Sequence, residues 1–172
     1  MNGAVAAGHP LTAEVGARTL ERGGNAVDAC VAAGFASWVT ESPLTGPGGG
    51  GFMLVHTARD RRTRVFDFFV AVPSGPRAEP QPVTVIFEGS QTQLFRIGPE
   101  TCAVPGTAAG LETVHRAHGS LPWSELLQPA IELADDGFEV TERQAFLHRI
   151  LAPMLAATPC AGSRGSSRGR RP

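Results

Sequence analysis

The sequence predicts a soluble domain of the α/β (α+β) class, on three observations. Residues 11–39 are rich in small apolar residues at helical spacing. Residues 52–97 contain short apolar runs separated by turn residues, which is typical of strands. Helical spacing then returns from residue 108 to residue 154. A chain of 172 residues is long enough to enclose a core of its own.

Two helices are predicted at the start of the chain. Leu11–Arg22 places small residues on one face, and Gly23 and Gly24 end it, as glycine does after a helix. Asn25 is a good N-cap for a second helix, Ala26–Val39. This second helix is apolar nearly all round, so we expect it to be buried.

Four strands are predicted in the middle of the chain. Phe52–Val55 and Arg64–Val70 lie on either side of a charged hairpin turn at Arg59–Arg62. Val83–Phe87 and Leu94–Ile97 are two further apolar runs of strand type. The proline-rich segment Pro73–Pro82 is expected to be a surface loop.

Three amphipathic segments are predicted to be helical in the second half. Ala108–His118 ends at a glycine. The next apolar stripe, between residues 126 and 134, contains Pro129, which either kinks the helix or starts a new one. Thr141 and Gln144 have the spacing of a capping box at the start of the last helix.

Composition gives no sign of nucleic-acid or membrane partners. The formal net charge is −1, and no run is both apolar and long enough to span a bilayer. No signal peptide is visible, so a cytoplasmic location is expected, or a periplasmic or secreted one if the true start lies upstream. The three cysteines (Cys30, Cys102 and Cys160) form no C-x-x-C pair, and we expect buried free thiols.

Four consecutive glycines, Gly48–Gly51, are the most conspicuous local pattern. A Walker loop would need a following lysine, and this chain has none. A dinucleotide fingerprint would need a strand before the glycines and a helix after them, which is the reverse of the predicted order. The favoured interpretation is that one backbone segment passes tightly against another here.

The remaining candidate groups do not assemble a catalytic or metal centre. His115 and His118 lie three apart on a predicted helix, but no carboxylate or thiol accompanies them, so surface histidines are expected. Glu41, Asp67 and Glu112 are separated carboxylates without a pairing pattern, and no G-x-S-x-G motif occurs. The residues alone therefore predict no catalytic residue, metal or cofactor in this chain.

The last residues, 160–172, consist mainly of arginine, glycine and serine and are expected to be disordered. A basic tail that binds nucleic acid is one interpretation. The interpretation that we favour is an out-of-frame reading of GC-rich DNA, because such a reading yields sequences rich in arginine, glycine and serine.

Five blocks in order resemble the large-subunit region of gamma-glutamyltransferases, over about residues 3–158. The blocks are Gly8-His9-Pro10-Leu11 with Ala13-Glu14, Gly23-Gly24-Asn25-Ala26-Val27-Asp28-Ala29, Gly48-Gly49-Gly50-Gly51-Phe52-Met53-Leu54, Ala103-Val104-Pro105-Gly106 with Gly110-Leu111, and Leu121-Pro122-Trp123 leading to Leu127 and Pro129-Ala130.

The resemblance implies a partial N-terminal-nucleophile hydrolase fold, with two sheets between helical layers, that is incomplete in this chain. It implies that residues 1–159 are a fragment of a large subunit. The small-subunit part of the same precursor would supply an N-terminal threonine nucleophile. The full-length parent would then transfer or hydrolyse a gamma-glutamyl or related acyl amide. The alternative is a non-catalytic truncated protein that acts as a binding module or is an inactive gene remnant.

One position departs from the family pattern. The family commonly has Asp-Phe-Arg-Glu where this chain has Asp67-Phe68-Phe69-Val70. The resemblance implies that the arginine holds the alpha-carboxylate of the glutamyl group, and Phe69 has no donor for it. Phe69 is either a plain core or pocket-wall aromatic or the mark of a different acyl substrate.

Overall fold

The computed structural model describes residues 3–75, 79–87, 89 and 91–157. These residues form two compact units. The first unit comprises the described residues within 1–72 and 104–139, and the second those within 73–103 and 140–157. The predicted tail at residues 160–172 and Cys160 lie outside the described residues.

The first unit begins with two helices, α1 (Pro10–Glu21) and α2 (Ala26–Thr40). Gly23, between them, has a φ of +97°, which confirms the predicted glycine stop. Asn25 caps α2 as predicted, and Asp28 bonds back to the Asn25 backbone to complete a capping box.

A hairpin follows, with β1 (Phe52–Thr57) antiparallel to β2 (Arg62–Asp67). Arg61, in the turn, has a φ of 53°, and the Asp60 carboxylate accepts hydrogen bonds from Thr57, Arg64 and the Arg62 amide. The predicted partner strand runs on to residue 70, but β2 ends at Asp67. After one further pair, between Phe68 and Gly51, the chain leaves the hairpin, and Ala71 pairs with Val104 instead.

Helices α3 (Thr107–His118) and α4 (Trp123–Asp136) complete this unit. Pro129 lies inside α4, so no new helix starts there. In the described part of the chain no helix is long and apolar enough to cross a membrane.

The second unit contains a hairpin and a helix. Strand β3 (Gln81–Ile86) pairs antiparallel with β4 (Thr92–Ile97), and a short 3₁₀ turn follows at Pro99–Thr101. Pro82, predicted to lie in a loop, is the second residue of β3, where proline is tolerated because each strand of a hairpin is an edge strand. Helix α5 (Glu142–Ala156) begins at the predicted capping box of Thr141 and Gln144.

The core of the first unit is built around α2. Nine of its 15 residues are buried, which confirms the prediction for this helix. Residues of every other element of the unit pack around it: Val15 from α1, Val55 from β1, Leu111 and Val114 from α3, Leu126 and Ala130 from α4, with Met53, Phe66 and Phe68 partly buried against the cluster.

The prediction of buried thiols is wrong for the two described cysteines, since Cys30 and Cys102 are both exposed. Cys30 lies on α2 beside β1 and lines an open groove of about 270 Å³ there. The apolar surroundings of α2 in the sequence do not reveal that one side of the helix borders this groove.

The buried carboxylate of Asp28 joins the loop between α3 and α4 to the start of α2 through hydrogen bonds. Asp28 has no exposed surface, and it accepts hydrogen bonds from the backbone amides of Asn25, Ser120 and Leu121 and from the Ser120 hydroxyl, at 2.5–3.4 Å. Burial acts to raise the pKa of Asp28, but these hydrogen bonds outweigh it and leave the pKa below its usual value.

We predict that Asp28→Asn lowers the free energy of unfolding by about 3 kcal/mol at pH 7, because an amide nitrogen then faces buried N–H donors. Because the folded pKa is depressed, the contribution of the charged form is present above the unfolded pKa of about 3.9. It disappears as the pH falls through the folded pKa. Urea unfolding between pH 7 and pH 3, with exposed Asp135→Asn as the control, measures this difference. A difference that stays constant over that range would contradict the assignment.

Candidate substrate-binding site

Three segments of backbone interlock at the end of the first hairpin. Gly51 and Phe68 exchange both of their N–H···O bonds, at 3.3 and 3.0 Å. The carbonyl of Gly49 accepts from the amides of Gly106 and Thr107, at 3.0 and 3.2 Å. The glycine loop therefore joins the end of β2 to the start of α3.

The glycines at this crossing have no room for a side chain. A Cβ atom on Gly50 would lie closer than 3.0 Å to the backbone of Phe69 and Val70. One on Gly106 would meet the Phe68 backbone, and one on Gly110 would meet the Phe68 side chain, also within 3.0 Å. The predicted tight backbone passage is confirmed.

Two of the four amides of the Gly48–Gly51 loop donate to carbonyl groups within the protein. The amide of Gly49 donates to the carbonyl of Gly46, at 3.2 Å, and that of Gly51 to Phe68. This internal use favours the packing role of the glycines that the sequence predicts.

Phe69 emerges from the crossing onto the outer face of the hairpin. Its side chain is 59% exposed, so it is not a core residue. Its ring stacks on that of Phe52, with centroids 5.5 Å apart and planes 11° apart. The backbone amide of Phe69 donates to Oδ1 of Asp67, at 3.0 Å.

Arg64, the arginine nearest to Phe69 in the sequence, does not take the place of the missing arginine, because it does not reach Phe69. It pairs with Asp60 at 3.0 Å and contacts Thr57, both at the turn end of the hairpin. Alternation along the strand also places Arg64 and Phe69 on opposite faces. The Thr57 hydroxyl, together with Arg64, lowers the pKa of Asp60 to about 2.

A cleft of about 260 Å³ lies beside this crossing. Its walls come from the end of β2 and the first half of α3: Phe66, Asp67, Phe68, Gly106, Ala109, Gly110 and Thr113. Most of these side chains are apolar or small, and Asp67 is the one titratable residue among them.

The other candidates from the sequence serve structural roles. His115 is not a surface histidine, because its side chain is 14% exposed and its Nε2 donates to the Leu121 carbonyl at 2.8 Å. Its Nε2 also lies 3.7 Å from Asp28, whose partner is Ser120. Since the serine donates to the aspartate rather than to the histidine, these three residues lack the connections of a catalytic triad.

His118, Glu41 and Glu112 lie apart from one another. The His118 ring packs edge-on against Phe66. Glu41 accepts from the Thr12 hydroxyl at 2.9 Å, and Glu112 pairs with Arg116 on the surface of α3. The carboxylates are thus unpaired with one another, as the sequence predicts.

Comparison with known proteins identifies the family. The family model described as gamma-glutamyltranspeptidase matches residues 12–165. This chain belongs to the gamma-glutamyltranspeptidase family. The glutathione hydrolase proenzyme of Bacillus subtilis is 39% identical over 142 residues, which are 81% of this chain and 24% of that protein.

Solved structures agree with this assignment. The gamma-glutamyltranspeptidase of Pseudomonas nitroreducens, complexed with L-DON, is 34% identical with a TM-score of 0.77, over 94% of this chain and 47% of that one. The enzyme of Helicobacter pylori is 30% identical with a TM-score of 0.76, over 92% and 45%. These matches confirm the predicted N-terminal-nucleophile hydrolase fold, of which this chain covers only a part.

The sequence pattern singles out Phe69 but not Phe52 and Asp67, which lie beside it. It predicts Phe52 only as the start of a strand and Asp67 only as an isolated carboxylate. A signal for both was present, because closing the hairpin at residues 58–61 places Phe52 opposite Asp67. The stack of Phe52 on Phe69 depends on the path of the chain beyond the strand, which periodicity does not determine.

We predict that Gly110→Ala lowers the free energy of unfolding by about 2 kcal/mol, because the added methyl overlaps Phe68. This is the opposite of its effect on an exposed helix, where alanine gains about 1 kcal/mol over glycine. In a Phe68→Ala background the same change should become neutral or stabilising. Urea denaturation of the four proteins of this double-mutant cycle measures the coupling.

Gly48→Ala is the matched control, since a Cβ there meets nothing within 4 Å. It should change stability by less than about 1 kcal/mol. Equal losses at positions 48 and 110, or a loss at 110 that persists without the Phe68 ring, would refute the packing explanation.

Proposed function

We propose that this chain is the N-terminal part of the large-subunit region of an enzyme that transfers or hydrolyses a gamma-glutamyl or related acyl amide. The small-subunit part of the same precursor supplies the nucleophile, an N-terminal threonine whose own amine serves as base. Membership of the gamma-glutamyltranspeptidase family is the observation that supports this proposal. The chain itself spans about a quarter of the length of the curated relatives, so the whole activity belongs to the assembled parent.

The side chain at position 69 bears on the acyl group. A carboxylate that leaves water needs a cationic partner, and without one its burial costs several kcal/mol. Phe69 supplies an aromatic ring instead, and Asp67 next to it adds a negative charge. We therefore expect an acyl group other than an ordinary gamma-glutamyl group with its free alpha-carboxylate.

The outer face of the first hairpin supports the view that further protein covers this unit. Leu54 and Val65, which lie opposite each other across the hairpin on this face, are 66% and 64% exposed. Single exposed apolar residues are common on soluble proteins, but a contiguous patch of them usually marks a contact surface. The remaining part of the parent is the occupant that we propose for Leu54 and Val65 on this face.

We predict that the isolated chain releases no product from a gamma-glutamyl anilide. A chimera in which residues 3–157 replace the matching segment of the Bacillus subtilis proenzyme should release product from this anilide, with a KM above that of the unmodified proenzyme. Its self-cleavage is followed on a gel and its anilide release by absorbance, with a heat-inactivated sample as blank. A chimera that cleaves itself but transfers no acyl group from any amide donor would favour the alternative of a non-catalytic module.

Within that chimera, Phe69→Arg should lower the KM for the gamma-glutamyl donor at least tenfold, since a guanidinium restores a bidentate partner for the carboxylate. Phe69→Leu is the control, because it removes the ring without adding a donor. If the Phe69 chimera already has a KM equal to or below that of the arginine variant, position 69 does not report on the acyl group.

We also predict that the isolated chain binds a hydrophobic fluorescent dye through the outer face of the hairpin. The double change Leu54→Thr and Val65→Thr should remove most of the fluorescence and leave the thermal transition near its original temperature, because both side chains are about two-thirds exposed. Unchanged fluorescence in a folded double variant would place the dye elsewhere.

A further inference from the structure

Phe52, Asp67 and Phe69 lie together on the outer face of the first hairpin. Gly51 and Phe68 form a hydrogen-bonded pair, so the next pair along the ladder, Phe52 and Asp67, is a non-hydrogen-bonded one. Facing side chains are closest in pairs of that kind. Phe69 projects from the same face, two residues beyond Asp67.

The two rings and the carboxylate are held in a fixed arrangement. The ring stack fixes Phe69 over Phe52, with 5.5 Å between the centroids. The hydrogen bond from the Phe69 amide to Oδ1 fixes Asp67, at 3.0 Å. Its other oxygen, Oδ2, has no hydrogen-bond partner among the described residues, and the side chain is exposed.

This combination has the chemistry of an ammonium site. The face of an aromatic ring attracts a cation, and an ionised carboxylate accepts several N–H donors. No arginine or histidine of the described residues forms an ion pair with Asp67, and Arg64 is held by Asp60 on the opposite face. The local charge is therefore negative, which disfavours a carboxylate and favours a cation.

We propose that Phe52, Asp67 and Phe69 bind a primary ammonium group on a small amide substrate, with the ammonium on Oδ2 of Asp67 and the adjoining chain of the substrate against the exposed rings. This deepens the proposed function, on which it rests only in calling the ligand a substrate. It names an acyl donor or acceptor that presents an amine, and no carboxylate, at this position.

Three aromatic probes of similar size test the proposal on the 172-residue chain: benzylammonium, neutral benzyl alcohol and anionic benzoate. Backbone amide NMR reports the binding directly, since the amide of Phe69 is bonded to Asp67. Benzylammonium should shift this resonance with a Kd at least tenfold below that of benzyl alcohol, and benzoate should bind most weakly. Added salt should weaken the benzylammonium complex selectively.

Three variants assign the effect to these residues. Asp67→Asn keeps an oxygen for the Phe69 amide but removes the charge, and it should bring benzylammonium to the affinity of benzyl alcohol. Phe52→Leu should weaken the binding of benzylammonium and of benzyl alcohol. Asp135→Asn removes the same charge from an exposed position on α4 and should change nothing.

Equal affinities for the three probes, or an unchanged preference in folded Asp67→Asn, would overturn the proposal and leave a merely apolar patch. Either result is independent of the chimera assay. If the chain does not bind benzylammonium but the chimera is active, the ammonium site is rejected and the proposed enzyme stands. If the chain binds benzylammonium but the chimera is inactive, the proposed enzyme is rejected and the ammonium site stands.

Discussion

The candidate site depends on one constraint: Gly51, Gly106 and Gly110, which lie against Phe68, have little or no room for a side chain. The Phe68 backbone lies against Gly51 and Gly106, and its ring lies against Gly110. The glycine loop, the end of β2 and the start of α3 therefore meet at this one residue. Because the partly buried Phe68 ring faces the core, its neighbours Asp67 and Phe69 face outward. The position of the exposed aromatic pair thus follows from the glycines beneath it.

Two carboxylates of the same unit illustrate how environment decides role. Asp28 and Asp67 each accept from a backbone amide, but Asp28 is fully buried and has four donors around it. Its charge is therefore satisfied and fixes the loop between α3 and α4. Asp67 is exposed and uses one oxygen, which leaves its charge for something outside the chain.

Local rules predicted most of the elements of this fold, and long-range contacts explain the errors. Asn25, Gly23, and Thr141 with Gln144 act as the sequence predicts, because caps depend on residues within one turn. The prediction of a surface position for His115 is wrong, because Leu121 and Trp123 on the next loop and helix cover its ring. The exposure of Cys30 likewise depends on how β1 lies beside α2.

The discontinuity of the first unit has a consequence for synthesis. Asp28 bonds to Ser120, 92 residues later, and Val104 pairs with Ala71 only after residues 73–103, which belong to the second unit, have been made. At about 5–20 residues per second, α2 leaves the ribosome several seconds before α3 and α4 can cover it. The contacts of Asp28 with Ser120 and of Gly110 with Phe68 are therefore completed late in synthesis, and until then α2 lacks the helices that cover it.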